Sequence, residues 1–186
     1  MEQETQHIMP NNEHTGKRSY TARAILMFVL WLALIALDLW TKSAAAAVLT
    51  QNGPIVLIDG VLEFLYVRNT GAAFSLLENQ QWLFIIIAVI VNLAILWIII
   101  RSPKTRHYAP LRLVLVFVSA GAIGNVADRI LLRYVRDFIY FSLINFPVFN
   151  VADIYVTVAT VFLVILTLFY YKEEDFLFLF SGKSAQ

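Results

Sequence analysis

Four apolar runs of nearly bilayer-spanning length constrain this chain more than any other feature. They cover about 24–41, 82–100, 111–127 and 154–171, and only Asn92 interrupts the second. A helix needs roughly 20 apolar residues to cross the hydrocarbon core of a membrane. Hydrocarbon offers no partner to an unpaired backbone N–H or C=O, so only helices and closed barrels cross it. These runs lack the two-residue alternation of barrel strands. The sequence therefore predicts an all-α membrane protein with four transmembrane helices. A content of 60% hydrophobic and 15% charged residues agrees with that class. The first run has a second reading, as a cleavable signal peptide, because Lys17, Arg18 and Arg23 precede it and Ala44 to Ala47 follow it. Its length, and the presence of Asp38 and Lys42 where a cleavage region is bland, favour a retained helix.

A formal net charge of +1 does not give the basic surface of a nucleic-acid binder. The chain has no cysteine, which excludes disulfides, thiolate metal sites and a cysteine nucleophile. Two of its three histidines lie in the polar N-terminal stretch, which argues against a histidine-rich metal site; no metal and no cofactor are expected. Basic residues orient the spans: Lys17, Arg18 and Arg23 precede the first, Arg101, Lys104, Arg106 and Arg112 join the second to the third, and Lys172 and Lys183 follow the fourth. The bias predicts both termini in the cytoplasm. Arg129, Arg133 and Arg136 fall on the disfavoured side and ask for another explanation, such as a site.

Three units follow: a polar segment 1–22, expected to be disordered; a membrane domain 23–172; and a charged, phenylalanine-rich tail 173–186, with its apolar part on the membrane surface. Turn signals at Asn52-Gly53-Pro54 and Asp59-Gly60 bracket short apolar runs, so a small strand-containing extracytoplasmic segment is expected between helices one and two. Residues 129–153 link helices three and four, with Pro147 stopping any helix short of the last span.

Polar residues at span ends are the informative ones in such a chain. Asp38 and Lys42 are four apart and share a helix face, as an interfacial ion pair or as part of a site. Asn69 and Gly71 suggest a tight turn that exposes backbone N–H groups. Asn125, Asp128 and Arg129 lie on one helix face, behind the small residues Ser119 to Ala122 and Gly124 that allow close helix packing. Asn150 and Asp153 have the spacing of a capping box, and Asp137 lies in the connection before them. Asp38, Asp128, Asp137 and Asp153 thus gather at one membrane face. Two carboxylates in contact share a proton, which is the arrangement of an aspartic protease. Arg129, or backbone amides near Asn69, would stabilise the oxyanion. On the residues alone Asp128 and Asp137 are not separable. A proton-coupled transporter is a rival class, but it expects acids at mid-span depth and broken helices. An assembly protein using the small-residue face of helix three is another.

LDLWTK (37–42), RNTGAAFS (68–75), GAIGNVADR (121–129), VRDF (135–138) and FNVAD (149–153) resemble, in order and placement, the boxes of lipoprotein signal peptidases. Five boxes in order are specific where one is not. The resemblance covers about residues 24–171. It implies an aspartic endopeptidase of the bacterial inner membrane, active near the extracytoplasmic face. Such an enzyme cuts the signal peptide from prolipoproteins before a diacylglyceryl-modified cysteine. It further implies Asp137 and Asp153 as the catalytic dyad. Asn69, Gly71, Asn125, Arg129, Asn150 and Ala152 would line or support the substrate site. Asp38 and Lys42 would form a supporting pair, and Asp128 would hold Arg129 or the helix ends. Its partners would be lipidated prolipoproteins, membrane lipid and the cyclic peptide inhibitor globomycin; oligomeric state is left open. Segment 49–67 would cradle the substrate and 129–153 would act as a lid. Ala120 and Arg136 depart from the family pattern, and Arg136 is expected to lower the pKa of Asp137.

Overall fold

A computed structural model describes residues 12–71 and 80–180. Its elements run α1 (Asn12–Asn52), β1 (Ile55–Ile58), β2 (Leu62–Asn69), α2 (Gln81–Arg101), α3 (Ala109–Leu132), β3 (Val135–Tyr140) and α4 (Val151–Ile165). A π-helical turn, Leu166–Tyr170, continues α4, and a 3-10 helix, Glu173–Leu179, ends the described chain. Four helical stretches are long and apolar enough to cross a membrane: Tyr20–Asn52, Gln81–Arg101, Ala109–Leu132 and Val151–Tyr170.

α3 is the central helix, packed by α1, α2 and α4. Half of its apolar window is buried, against about a tenth or less in the other spans, whose Leu, Ile, Val and Phe side chains face outward. This is the exposure that a lipid solvent favours. Small residues allow the close approach of α4 and α1 to α3. A methyl group at Gly121 would meet the backbone of Ala152 and lie 2.7 Å from Val156, and one at Gly124 would collide with the carboxylate of Asp38.

α1 ends where Gly53, at φ 79°, enters the left-handed region and donates its N–H to Leu49 O at 3.1 Å. Gly60 at φ 66° turns β1 into β2. α3 ends on Arg133 at φ 69°, an uncommon conformation for a side-chain-bearing residue, and this turn sends the chain straight into β3. The strands form one antiparallel sheet in the order β1-β2-β3. β1 and β2 lie where the turn signals place strands. β3 lies inside the connection read from sequence as a simple link.

Two expectations are revised. Residues 12–22 belong to α1 rather than to a disordered segment, because a span already nucleated extends at the low cost of one residue per hydrogen bond; residues 1–11 lie outside the described residues. The phenylalanine-rich tail does not simply lie on a membrane surface. Phe178 is buried with Ile95, Tyr108, Leu111, Leu115 and Tyr171, while Leu177 and Phe180 point outward.

Candidate active site

The sheet and the α4 N-terminus bring Asp137 and Asp153 to the wall of one cavity of about 1250 Å³, together with Asn69, Gly71, Asn125 and Arg129. Rings from α2 and from the connection, Phe84, Phe141, Phe146 and Phe149, form much of its apolar lining. The capping box read from sequence forms: Asn150 Oδ1 accepts from Asp153 N at 3.1 Å, and Asp153 Oδ2 accepts from Asn150 N at 3.0 Å. Asp153 thereby sits at a helix N-terminus, where the backbone dipoles favour an anion.

Asn150 also ties the two acids together, since its Nδ2 donates to Asp137 Oδ1 at 2.6 Å. Asn69 Nδ2 donates to Asp137 Oδ2 at 2.8 Å. Burial, and secondarily the negative charge of Asp153, push Asp137 up to about 7, against the pull of these two amides and of Lys42. An aspartate that keeps its proton to neutral pH can donate it.

Behind the acids lies a buried polar network. Lys42 Nζ donates to Asp38 Oδ2 and to Asn125 Oδ1, each at 2.8 Å, and Asp38 Oδ1 accepts from Ala152 N at 2.9 Å. Lys42 is donor-only, so it fixes which end of the Asn125 amide faces it. Asn125 Oδ1 is committed to Lys42 and to Asn150 Nδ2 at 3.1 Å, which leaves Asn125 Nδ2 to donate to Asp153 Oδ1 at 2.8 Å. The supporting pair is thus wired to one of the acids through a single amide.

The helix face shared by Asn125, Asp128 and Arg129 divides its work. Asp128 does not hold Arg129. It is paired by Arg136, with Nη2 at 2.7 Å from Oδ1 and Nε at 3.1 Å from Oδ2, and Lys42 lies 3.9 Å away. Arg136 therefore does not lower Asp137, contrary to the sequence expectation. Successive strand residues point to opposite faces, so β3 aims Asp137 at the cavity and Arg136 at Asp128 and Ser43 Oγ, the latter at 2.9 Å. Ser43 was not singled out from sequence; its place one residue after Lys42 was the available signal.

Arg129 extends into the cavity instead. Its Nη2 donates to Gly71 O at 3.5 Å, its guanidinium lies 4.8 Å from the Phe84 ring centroid, and its buried Nε has no partner among the described residues. The turn at Asn69 forms, but the N–H of Gly71 donates to Asn69 Oδ1 at 3.0 Å rather than being exposed. Gln81 Nε2 donates to Thr70 O. Residues 72–75 of the RNTGAAFS box lie outside the described residues. Among the described residues no cluster of three or more metal-ligating side chains occurs.

Residues 30–169 match the family model described as Signal peptidase (SPase) II. A lipoprotein signal peptidase of Streptococcus thermophilus (strain CNRZ 1066) is 39% identical over 153 residues, which cover 82% of this chain and 97% of that protein. One from Streptococcus pyogenes serotype M5 (strain Manfredo) is 38% identical over 151 residues, 81% of this chain and 96% of that protein. Two solved structures of a bacterial membrane enzyme superimpose with TM-scores of 0.65 and 0.67, at 22% and 25% identity. They cover 87% and 78% of this chain and 94% of each of theirs. A membrane-embedded protease is the class that results. The chain belongs to the signal peptidase II family.

Proposed function

We propose that this protein removes the signal peptide from diacylglyceryl-modified bacterial prolipoproteins, using Asp137 and Asp153 as an aspartic dyad. One observation carries the reading: two carboxylates on one cavity wall are both held by Asn150, whose Nδ2 donates to Asp137 Oδ1 and whose backbone N–H donates to Asp153 Oδ2. Asp153, fed by the Asn125 amide and the Asn150 N–H, takes a proton from water. The water oxygen attacks the scissile carbonyl, and Asp137 gives its proton to the carbonyl oxygen. The tetrahedral carbon then collapses with transfer of a proton to the leaving nitrogen. Arg129, which lines the cavity, binds the developing oxyanion or a substrate carbonyl.

The apolar lining suits a lipidated substrate. Acyl chains remain in membrane lipid beside α2 and α4 while the peptide enters between segment 49–67, the cradle of this reading, and the connection 129–153, its lid. The bias of the basic residues supports an orientation in a bacterial inner membrane with both termini in the cytoplasm and the dyad near the opposite face. Globomycin is expected to compete for the same cavity.

Cleavage of a diacylglyceryl-modified prolipoprotein by the purified chain tests this. Wild type should cut. Asp137→Asn and Asp153→Asn, checked for folding, should not. Activity in Asp137→Asn with loss in Asp128→Asn would move the dyad to Asp128, and failure of wild type on several lipidated substrates would sink the assignment.

A further inference from the structure

A second cavity, of about 480 Å³, lies between α1, α2 and α3 and shares no lining residue with the first. Its walls include Met27 and Phe28 from α1 and Leu93, Leu96 and Ile99 from α2. Its polar groups satisfy one another: Trp31 Nε1 donates to Ser119 Oγ at 3.0 Å, Ser119 Oγ to Asn92 Oδ1 at 2.6 Å, and Asn92 Nδ2 to Ala88 O at 2.8 Å. With those bonds made internally, the groove offers a chain-shaped occupant little but hydrocarbon. Along α3 it runs from Arg112 to Val126, roughly 21 Å at the helical rise, which is longer than one leaflet of the hydrocarbon core.

One end is cationic. Tyr20, Arg23 and Arg112 line it, and Lys104 Nζ and the Arg112 guanidinium lie 5.3 and 5.8 Å from the Tyr20 ring centroid. Arg112 is only 4% exposed, yet its hydrogen bonds go to neutral acceptors: Ser102 Oγ, Pro103 O and Thr105 O. Among the described residues no carboxylate forms an ion pair with it. A buried cation beside a second cation is stabilised by an anion.

We infer that this groove binds an anionic phospholipid of the surrounding membrane, with an acyl chain along α3 and the phosphate at Arg23, Lys104 and Arg112. The lipid belongs to the leaflet on the side of the 102–108 loop.

The full chain in detergent is titrated with phosphatidylglycerol bearing brominated acyl chains, and separately with phosphatidylcholine bearing the same chains. Bromine quenches indole at short range, and Trp31 lines the groove. The difference between wild type and Trp31→Phe isolates the Trp31 signal. Phosphatidylglycerol should quench it at a concentration at least about tenfold lower than phosphatidylcholine, and Arg23→Gln and Lys104→Gln should each reduce that ratio about fivefold. Arg106→Gln, exposed on the same loop and outside the groove, should leave it within about twofold. Equal quenching by both lipids, or a preference that survives the Arg23→Gln/Lys104→Gln double variant, overturns the inference. So does quenching that is the same in Trp31→Phe, which would put the lipid elsewhere. Competition by soluble glycerol phosphate as effective as by the lipid would leave a phosphate site and no lipid groove.

Discussion

At the site end of the helical body, Asp38, Lys42, Asn125, Asp128 and Asn150 interlock with almost no exposed surface apart from Asn125. At the opposite end, the rings of Tyr108, Tyr171 and Phe178 pack together. Tyr108 and Tyr171 stack at 5.9 Å, and Tyr108 meets Phe178 edge-on at 5.5 Å. The hydroxyls there serve main-chain groups: Tyr171 Oη accepts from Leu111 N at the start of α3 and donates to His107 O, and Tyr108 Oη donates to Asp175 O. The first end uses charge that is costly to bury and worth keeping only if every partner is present. The second uses contact area, where a lost group leaves a void and no orphan charge. Stability and chemistry are therefore entangled at one end and separable at the other.

The largest expected effects test the chemical half of that contrast. Asp137→Asn and Asp153→Asn should each lower cleavage by at least about 10²–10⁴-fold, the range for losing a general acid or base. Their thermal midpoints in detergent should stay close to wild type, since an amide replaces a carboxyl of nearly equal shape. Lys42→Met comes next. It removes the only cation bonded to Asp38 among the described residues and frees the Asn125 amide to turn away from Asp153. Stability should fall by about 3–5 kcal/mol, read by denaturation, with cleavage falling in the fraction that remains folded. Full activity in that fraction would break the proposed link from Lys42 through Asn125 to Asp153.

Much of this was legible in the sequence because it rests on local rules. The spans follow from apolar run length, the turns at Gly53 and Gly60 from glycine's access to positive φ, and the capping box from the spacing of Asn150 and Asp153. The Asp38–Lys42 pair follows from the i, i+4 helix repeat. What escaped is what only tertiary packing decides. β3 carries Arg136 and Asp137 in mid-strand, so no clean apolar alternation marks VRDFIY as a strand. Without the strand, the opposite facing of Arg136 and Asp137 is invisible, and the guanidinium was assigned to the wrong acid. Arg112 reads as one more loop cation, although its side chain is buried against the carbonyls of its own loop. The choice of Asp137 over Asp128 for the proposed dyad rests on family resemblance and not on spacing.

Phe178→Ala tests the other end. Phe178 is 6% exposed within the ring cluster, and its carbonyl accepts from Arg101 Nη2 at 3.2 Å, a bond the substitution keeps. The expected loss is about 3 kcal/mol of stability, the lower part of the range for a buried phenylalanine. The turnover of the folded enzyme should remain within about twofold, well under the cost of a misplaced catalytic group. A proportionate fall in turnover would show that the ring cluster positions the dyad, and the separation of the two ends would fail.

The smallest expected effect is a displacement of pH dependence, and it sharpens the contrast most. An unperturbed aspartate releases its proton near 3.8, whereas Asp137 in the folded protein holds its proton to about 7. Between those values the folded state binds more protons than the unfolded one. The contribution of this group to stability is thus fully present below about 3.8 and is lost as pH rises towards 7. Because Asp137 donates that proton in the proposed reaction, cleavage should also fall as pH rises through about 7. Asn69 pulls the value down by donating to the carboxylate, so Asn69→Ala should move the alkaline limb of the pH–rate profile upward by roughly half to one pH unit, while lowering the maximum rate. Phe178→Ala, remote from every charge that acts on Asp137, should leave that limb in place. A limb that stays fixed in Asn69→Ala would mean that it reports another group, and Asp137 would lose its assignment as the proton donor.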